Sequence, residues 1–211
     1  MDSCCNLGRE LDIQKNILFE TDNFFVVPTV GSIGIEGYLL LCSKGHYEGV
    51  GGIPEQYQQE LYEVLEITRK VLSNSYNSEI LTFEHGPRVG CHRGGGCLDH
   101  AHLHLVPIHF NLMEPLALSL LNGLGVDYYY KLERTNEFRR LREISEIGES
   151  SYMWVETNDG KRFLTEVNFP IPSQFIRQQI ASHIRNPKWD WREYPDDETF
   201  EKTIEILQGK F

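Results

Sequence analysis

Between residues 100 and 106 the chain reads His100-Ala101-His102-Leu103-His104-Leu105-Val106, and this alternation constrains the fold more than any other stretch. Side chains of a β-strand point to opposite faces in turn. The segment therefore predicts a strand with three histidines on one face and Ala101, Leu103 and Leu105 on the other. The apolar face needs a covering helix. The histidine face needs solvent, a ligand or polar partners, because a buried ring nitrogen without a partner is costly. Eight histidines occur in 211 residues, so three at i, i+2 and i+4 argue against a solvated face that merely tolerates them.

Two chemistries compete for such a row. Histidines at i and i+2 make a good pair of zinc ligands. With a rise of roughly 3.3 Å per residue, however, the Cα atoms of the outer two lie about 13 Å apart. Three rings on one strand then converge on a single ion only by leaning fully inward. Cys91, His92 and Cys97 are further donors, at spacings that match no established zinc pattern. The other chemistry is nucleophilic: a neutral imidazole attacks phosphorus, its second nitrogen held by an acceptor that fixes the tautomer, while neighbouring rings donate to phosphate oxygens or the leaving group.

The rest of the chain frames this strand as an α+β protein with an antiparallel sheet at its centre. Residues 17–19, 24–28, 38–42 and 80–83 are strand candidates, and the histidine strand is expected over 99–108. Pro54 suits a helix start. The apolar positions Leu61, Val64, Leu65, Thr68, Val71 and Leu72 then recur at helical spacing through residues 55–72. The second half offers an apolar segment at 116–121, a charged helix at 136–145, and a hairpin of residues 151–156 and 163–167 about Asn158-Asp159-Gly160. Two further helices are expected at 174–183, with Ser173 as N-cap, and at 196–207.

Charge and composition narrow the function. Twenty Lys and Arg against 31 Asp and Glu leave a net charge of −11, which argues against sequence-independent binding to nucleic acid or to anionic membrane. Neither an apolar run long enough to span a bilayer nor a basic, apolar leader is evident, and five cysteines suit reduced thiols. The expectation is a soluble cytoplasmic protein.

His100 to Val106 fits the pattern His-φ-His-φ-His-φ-φ, with φ apolar, at every position. Upstream, Glu20-Thr21-Asp22-Asn23-Phe24-Phe25-Val26-Val27-Pro28, then Glu36-Gly37-Tyr38-Leu39-Leu40-Leu41-Cys42-Ser43-Lys44-Gly45-His46, then the amphipathic helix follow in the order strand, strand, helix. Over residues 17–110 the chain resembles the HIT (histidine triad) superfamily of nucleotide hydrolases and transferases. The resemblance implies a HIT-like core over residues 1–110 with an antiparallel five-stranded sheet and packed helices, an α/β C-terminal extension over 111–211, and a homodimer. It implies that His102 attacks the α-phosphorus of a dinucleoside polyphosphate or nucleoside phosphoramidate and carries the nucleotidyl group. His100 would support the tautomer of His102, and His104 would contact the phosphate or the leaving group. Gly94, Gly95 and Gly96 would turn backbone amides toward the phosphate, as glycine-rich turns do. Cys97, Arg93 and Tyr38 complete the implied phosphate- and nucleotide-binding set, Gly96 and Cys97 standing where relatives often carry Gln and Ser or Thr, and Tyr38 where many carry a histidine. No metal or cofactor is required at the triad, magnesium being expected only as the companion of a polyphosphate.

These departures keep two other classes in play, a nucleotide-sensing module with reduced catalysis and a zinc-dependent hydrolase. The resemblance implies an Asp or Asn for the ribose hydroxyls where Val30 stands; either Thr29 or Ser32 substitutes for it, or the substrate is not a standard ribonucleotide. Lys44 and Arg88 are further phosphate-donor candidates with solvated charge as the default, and His46 suits a turn. His85 reads as a hydrogen-bonded structural histidine, Trp189 and Trp191 as packing anchors. His109 and His183 have no evident partner. Arg177 sits near a helix start suited to an anion.

Overall fold

The computed structural model describes residues 13–86, 100–108, 119, 130–131, 137–147, 150–156, 162–167 and 171–211. Its strands are β1 (Phe19–Glu20), β2 (Phe24–Pro28), β3 (Leu39–Ser43), β4 (Glu79–Gly86), β5 (His102–Ile108), β6 (Tyr130–Lys131), β7 (Ser151–Glu156) and β8 (Arg162–Val167). Among the described residues these form one eight-stranded sheet in the order β1-β2-β3-β5-β4-β7-β8-β6, with every pairing antiparallel. The helices are α1 (Ile13–Asn16), α2 (Gln58–Tyr76), α3 (Glu137–Ile147), α4 (Phe175–His183) and α5 (Asp197–Leu207).

Five strands are too few. β4 would end a smaller sheet, leaving a row of unpaired backbone groups along its outer side. The hairpin of β7 and β8 occupies that edge in the register Phe83↔Val155 and Gly86↔Tyr152, and β6 adds outside β8. The C-terminal half thus supplies strands to the same sheet as the triad. The tip of the hairpin and the segment 116–121, Ser119 apart, lie outside the described residues.

Both faces of the sheet are covered, which is why its inner strands read as near-continuous apolar runs rather than as clean alternation. One face presents Val26, Leu39, Leu41, Leu103, Leu105, Tyr152 and Trp154, and buries them against Leu61, Val64, Leu65 and Leu72 of α2 and Leu141 and Ile144 of α3. Asn77, in the left-handed conformation at φ 47°, terminates α2, a place asparagine tolerates better than most residues. The other face presents Val27, Tyr38, Leu40, Phe83, Val106 and Val155, and is covered by Phe175, Ile176, Ile180 and Ala181 of α4. Among the described residues no helix is long and apolar enough to cross a membrane.

Three local expectations are corrected. Of the strand expected over 17–19, Phe19 alone is in a strand: α1 ends at Asn16 and β1 runs over Phe19–Glu20. The helix after Pro54 opens as a 3-10 turn, Glu55–Tyr57, before α2. Ser173 does not cap α4; Gln174 takes the N-cap position at φ 60° without a side-chain cap bond. Asp196 does cap α5, accepting from the Thr199 backbone N–H at 3.3 Å.

Polar groups inside the sheet are paired across elements. Glu156 takes Arg69 of α2 at 2.7 Å and Arg162 of β8. Glu84 accepts from the Tyr152 hydroxyl and the Val50 N–H, both at 2.6 Å, and Tyr152 in turn accepts from the Gly51 N–H at 3.1 Å. Burial pushes the Glu84 carboxyl up to about 7. Tyr152→Phe leaves the Gly51 N–H and one Glu84 oxygen buried without a partner, so it is expected to destabilise by about 1–3 kcal/mol. Urea denaturation measures this, and an unchanged midpoint would show that the hydroxyl does not stitch β7 to the 3-10 turn at Val50–Gly52.

Candidate active site

The site is built where β3, β5 and β4 lie side by side. Antiparallel pairing sets Leu40 opposite His104 and Cys42 opposite His102, and Phe83 of β4 opposite His104 from the other side. Alternation then places Tyr38, Phe83, His85, His102 and His104 on one face. His102 and His104 belong to β5, whereas His100 lies just before it, so the strand is shorter at its start than the sequence suggests. The three rings are largely enclosed: relative exposure is 7% for His100, 7% for His102 and 5% for His104. The histidine face therefore meets polar partners and α4 rather than open solvent.

Each ring has a defined partner. Nδ1 of His102 lies 2.7 Å from the carbonyl oxygen of His100. A carbonyl only accepts, so this nitrogen carries the proton, and in the neutral ring Nε2 bears the lone pair. That Nε2 lies 3.1 Å from Nε2 of His104, which must then be protonated and donate. Nδ1 of His104 is left as an acceptor, and the Tyr38 hydroxyl lies 2.9 Å from it as the donor. One proton order satisfies the whole line: Tyr38 O–H to His104, His104 Nε2–H to His102, His102 Nδ1–H to the His100 carbonyl. Phe83 stacks on His104 at 4.4 Å between centroids and fixes its plane.

His100 serves a different contact. Its Nε2–H donates to the Ser43 carbonyl at 2.6 Å, and His46 lies against it at 5.5 Å between ring centroids. The ring of His100 is thus engaged with Ser43, and its contact with His102 is made by its backbone carbonyl. His85 accepts the Ile176 backbone N–H on Nε2 at 3.1 Å, tying β4 to the first turn of α4. Burial holds His85, His100, His102 and His104 below the usual histidine range, His85 at about 3. The neighbouring histidines and, for His85, His102 and His104, the charge of Arg177 add to this.

Sequence reasoning put Arg177 at a helix start suited to an anion and did not bring it to the triad; it lies in the first turn of α4 with its guanidinium beside Tyr38. It is 2% exposed. Its guanidinium donates to the Gly31 carbonyl at 2.7 Å and to the Trp189 carbonyl at 3.0 and 3.3 Å, and reaches the Tyr38 hydroxyl at 3.5 Å, with Cζ 5.5 Å from that ring's centroid. No carboxylate lies within ion-pairing distance of it among the described residues. A signal was present in the sequence: Arg177 shares the inward face of α4 with Ile176, Ile180 and Ala181, and a charge on an apolar face needs a reason.

Other candidates separate. Arg88, Cys91, His92, Arg93, Gly94, Gly95, Gly96, Cys97 and His109 lie outside the described residues. Lys44 pairs with Glu20 at 2.8 Å on the surface. Thr29 accepts from the Gly31 N–H at 3.2 Å and Ser32 donates to Asp196, so both hydroxyls are used in organising the loop. His183 lies 2.9 Å from the Gln179 carbonyl, the partner not evident in the sequence. Trp189 packs against the core of the histidine face. Among the described residues no three His, Cys, Asp or Glu side chains are grouped to hold a metal ion.

No protein-family model matches the sequence. No curated protein matches it either. Solved structures resemble it more distantly. A Hit-like protein involved in cell-cycle regulation from Bartonella henselae is 10% identical, covering 68% of this chain and 98% of that one at a TM-score of 0.43. A HIT family protein from Bacillus anthracis is 16% identical over 70% of this chain and 96% of that one, at 0.42. A hypothetical histidine triad nucleotide-binding protein from Sulfolobus tokodaii is 16% identical over 69% and 89%, at 0.40.

Proposed function

We propose that the chain is a nucleotide phosphohydrolase or nucleotidyl transferase acting on dinucleoside polyphosphates or nucleoside phosphoramidates through a nucleotidyl group on His102. The observation that carries this reading is the contact of His102 Nδ1 with the His100 carbonyl at 2.7 Å, because it leaves Nε2 with the lone pair a nucleophile needs. In the first step that lone pair forms a bond to the α-phosphorus as the bond to the leaving oxygen or nitrogen breaks. The leaving group takes a proton, and His104, whose Nε2–H faces the same point, is the nearest donor. In the second step water attacks phosphorus, the N–P bond breaks with its electron pair returning to Nε2, and the proton of the attacking water is released. His104 Nε2–H occupies the His102 lone pair when no phosphate is present, so the substrate's phosphoryl group has to enter between these two nitrogens and take over that hydrogen bond.

The enclosure of the rings favours a second reading, a module that binds a nucleotide without turning it over. Intact-protein mass spectrometry during incubation with diadenosine polyphosphate separates the two. The catalytic reading expects an added nucleotidyl mass, mapped to His102, together with mononucleotide release that survives chelation. Binding with neither adduct nor release supports the second reading, and release abolished by chelation and restored by zinc overturns both.

A further inference from the structure

We propose that Arg177 is the fixed counter-charge of the triad, a buried cation that an anionic phosphoryl group seated at His102 and His104 neutralises. The inference deepens the reading above and rests on that seat, though not on the covalent step.

The guanidinium is anchored on the side away from the histidines. Nε and Nη2 donate to the Trp189 carbonyl at 3.3 and 3.0 Å, and Nη2 also to the Gly31 carbonyl at 2.7 Å. A Cβ at Gly31 would lie 2.6 Å from Nη2 and 2.2 Å from the Cβ of Trp191, so glycine is what lets that carbonyl and the guanidinium meet. Nη1 contacts the Tyr38 hydroxyl at 3.5 Å, longer than a well-formed hydrogen bond, and that hydroxyl lies 2.9 Å from His104.

Carbonyls satisfy the N–H donors but carry no charge. Arg177 is 2% exposed, and no carboxylate among the described residues comes within ion-pairing distance of it. Asp190, next to Trp189 in the chain, is held by Gln174 at 2.9 Å and by Arg192 at 3.2 Å instead. The groups facing the guanidinium are Tyr38 just before β3, His85 from β4, and His102 and His104 from β5, with His100 and His46 beyond them. The imidazoles of His85, His102 and His104 are unprotonated near pH 7. This enclosed cluster therefore holds one positive charge and, among the described residues, no negative one. Such burial is costly, and packing alone would be served by an apolar side chain like those of Ile176 and Ile180. An anion entering at the two Nε2 atoms removes the imbalance. In a setting this poor in water the attraction acts across the intervening side chains, and charge developing on the phosphoryl oxygens falls in the same field.

The test is a 31P titration of AMP bound to the full chain. Burial without a counter-charge raises the second ionisation of a phosphate monoester above its ordinary value of about 6, whereas a nearby cation lowers it by about one unit or more. AMP saturating the unaltered protein is therefore expected to hold a nearly constant 31P shift from pH 8 down to pH 6, where free AMP has moved about halfway to its protonated value. Arg177→Gln, which keeps an N–H donor without the charge, and Arg177→Met are each expected to return the ionisation of bound AMP to about 6 or above. Each is expected to weaken AMP about 10-fold at pH 7.5, with affinity for adenosine changed less than about twofold. Arg177→Lys is expected to keep the lowered ionisation. A merely structural role would weaken AMP and adenosine alike and leave the ionisation in place. Should neither neutral variant fold, the titration of the unaltered protein decides. The inference is overturned if AMP does not bind the unaltered protein at millimolar concentration, if it protonates there as free AMP does, or if its ionisation is unchanged in a folded neutral variant. AMP held as expected by a protein that forms no adduct upholds the counter-charge and refutes the reaction. An adduct on His102 beside an ordinary ionisation of bound AMP refutes the counter-charge and leaves the reaction standing.

Discussion

His102→Ala is expected to lower nucleotide turnover by on the order of 10⁴-fold or more, the scale on which covalent catalysis fails when its nucleophile is removed. The fold is expected to survive. The variant loses two buried hydrogen bonds, leaving the His100 carbonyl short of a donor and the His104 Nε2–H short of an acceptor, at a cost of about 1–3 kcal/mol for each group left unpaired. Thermal denaturation beside the kinetic assay separates lost chemistry from lost structure. His102→Gly probes the mechanism further, since its vacated space admits free imidazole, which is expected to restore turnover in proportion to its concentration. Turnover in a folded His102→Ala protein at the unaltered rate would exclude this residue as the nucleophile and, with it, the proposed reaction.

Acid is expected to unfold the protein well above the pH at which most globular domains fail. His85, His100, His102 and His104 are held below the usual histidine range, chiefly by burial. In the unfolded chain each titrates near 6.5. Above that value neither state binds the proton and the histidines leave stability unaffected. Below it the unfolded chain takes up protons that the folded one refuses, so stability is lost as pH falls, down to about 3 for His85. Each such histidine contributes a slope of up to about 1.4 kcal/mol per pH unit. Glu84 acts in the opposite sense: burial raises it to about 7 from an ordinary 4.5, so between those values the folded form binds the extra proton and gains stability on acidification. One carboxyl offsets one imidazole, and the balance stays with the histidines. Against a total stability of about 5–15 kcal/mol, the urea midpoint is expected to drop steeply between pH 6.5 and pH 5. A midpoint constant over that range would mean that the rings are protonated in the folded protein, against the proton order described here.

Much of the centre of this fold was legible because its information is local. Strand alternation from Ala101 to Val106 sorted the histidines from the residues packing on α2, and the spacing of Leu61, Val64, Leu65 and Leu72 identified the helix that covers them. The hairpin around Asn158-Asp159-Gly160 was legible for the same reason, since turn chemistry and β-pattern adjoin in the sequence. Its destination was not. Nothing in residues 151–167 specifies that β7 pairs with β4, because backbone pairing carries no residue label, and a sheet of five became one of eight.

The site divides along the same line. Residue type and period alone determined that His100, His102 and His104 lie together beside a strand whose opposite face is core, since side-chain direction along a strand follows from the covalent geometry of the chain. Tertiary structure decided the rest. It brought Arg177 from 139 residues away to Tyr38, laid α4 over the imidazoles, and set the direction of each hydrogen bond. The direction of such a bond depends on which groups face each other across distant segments, and that is a property of the packed molecule rather than of any stretch of its sequence.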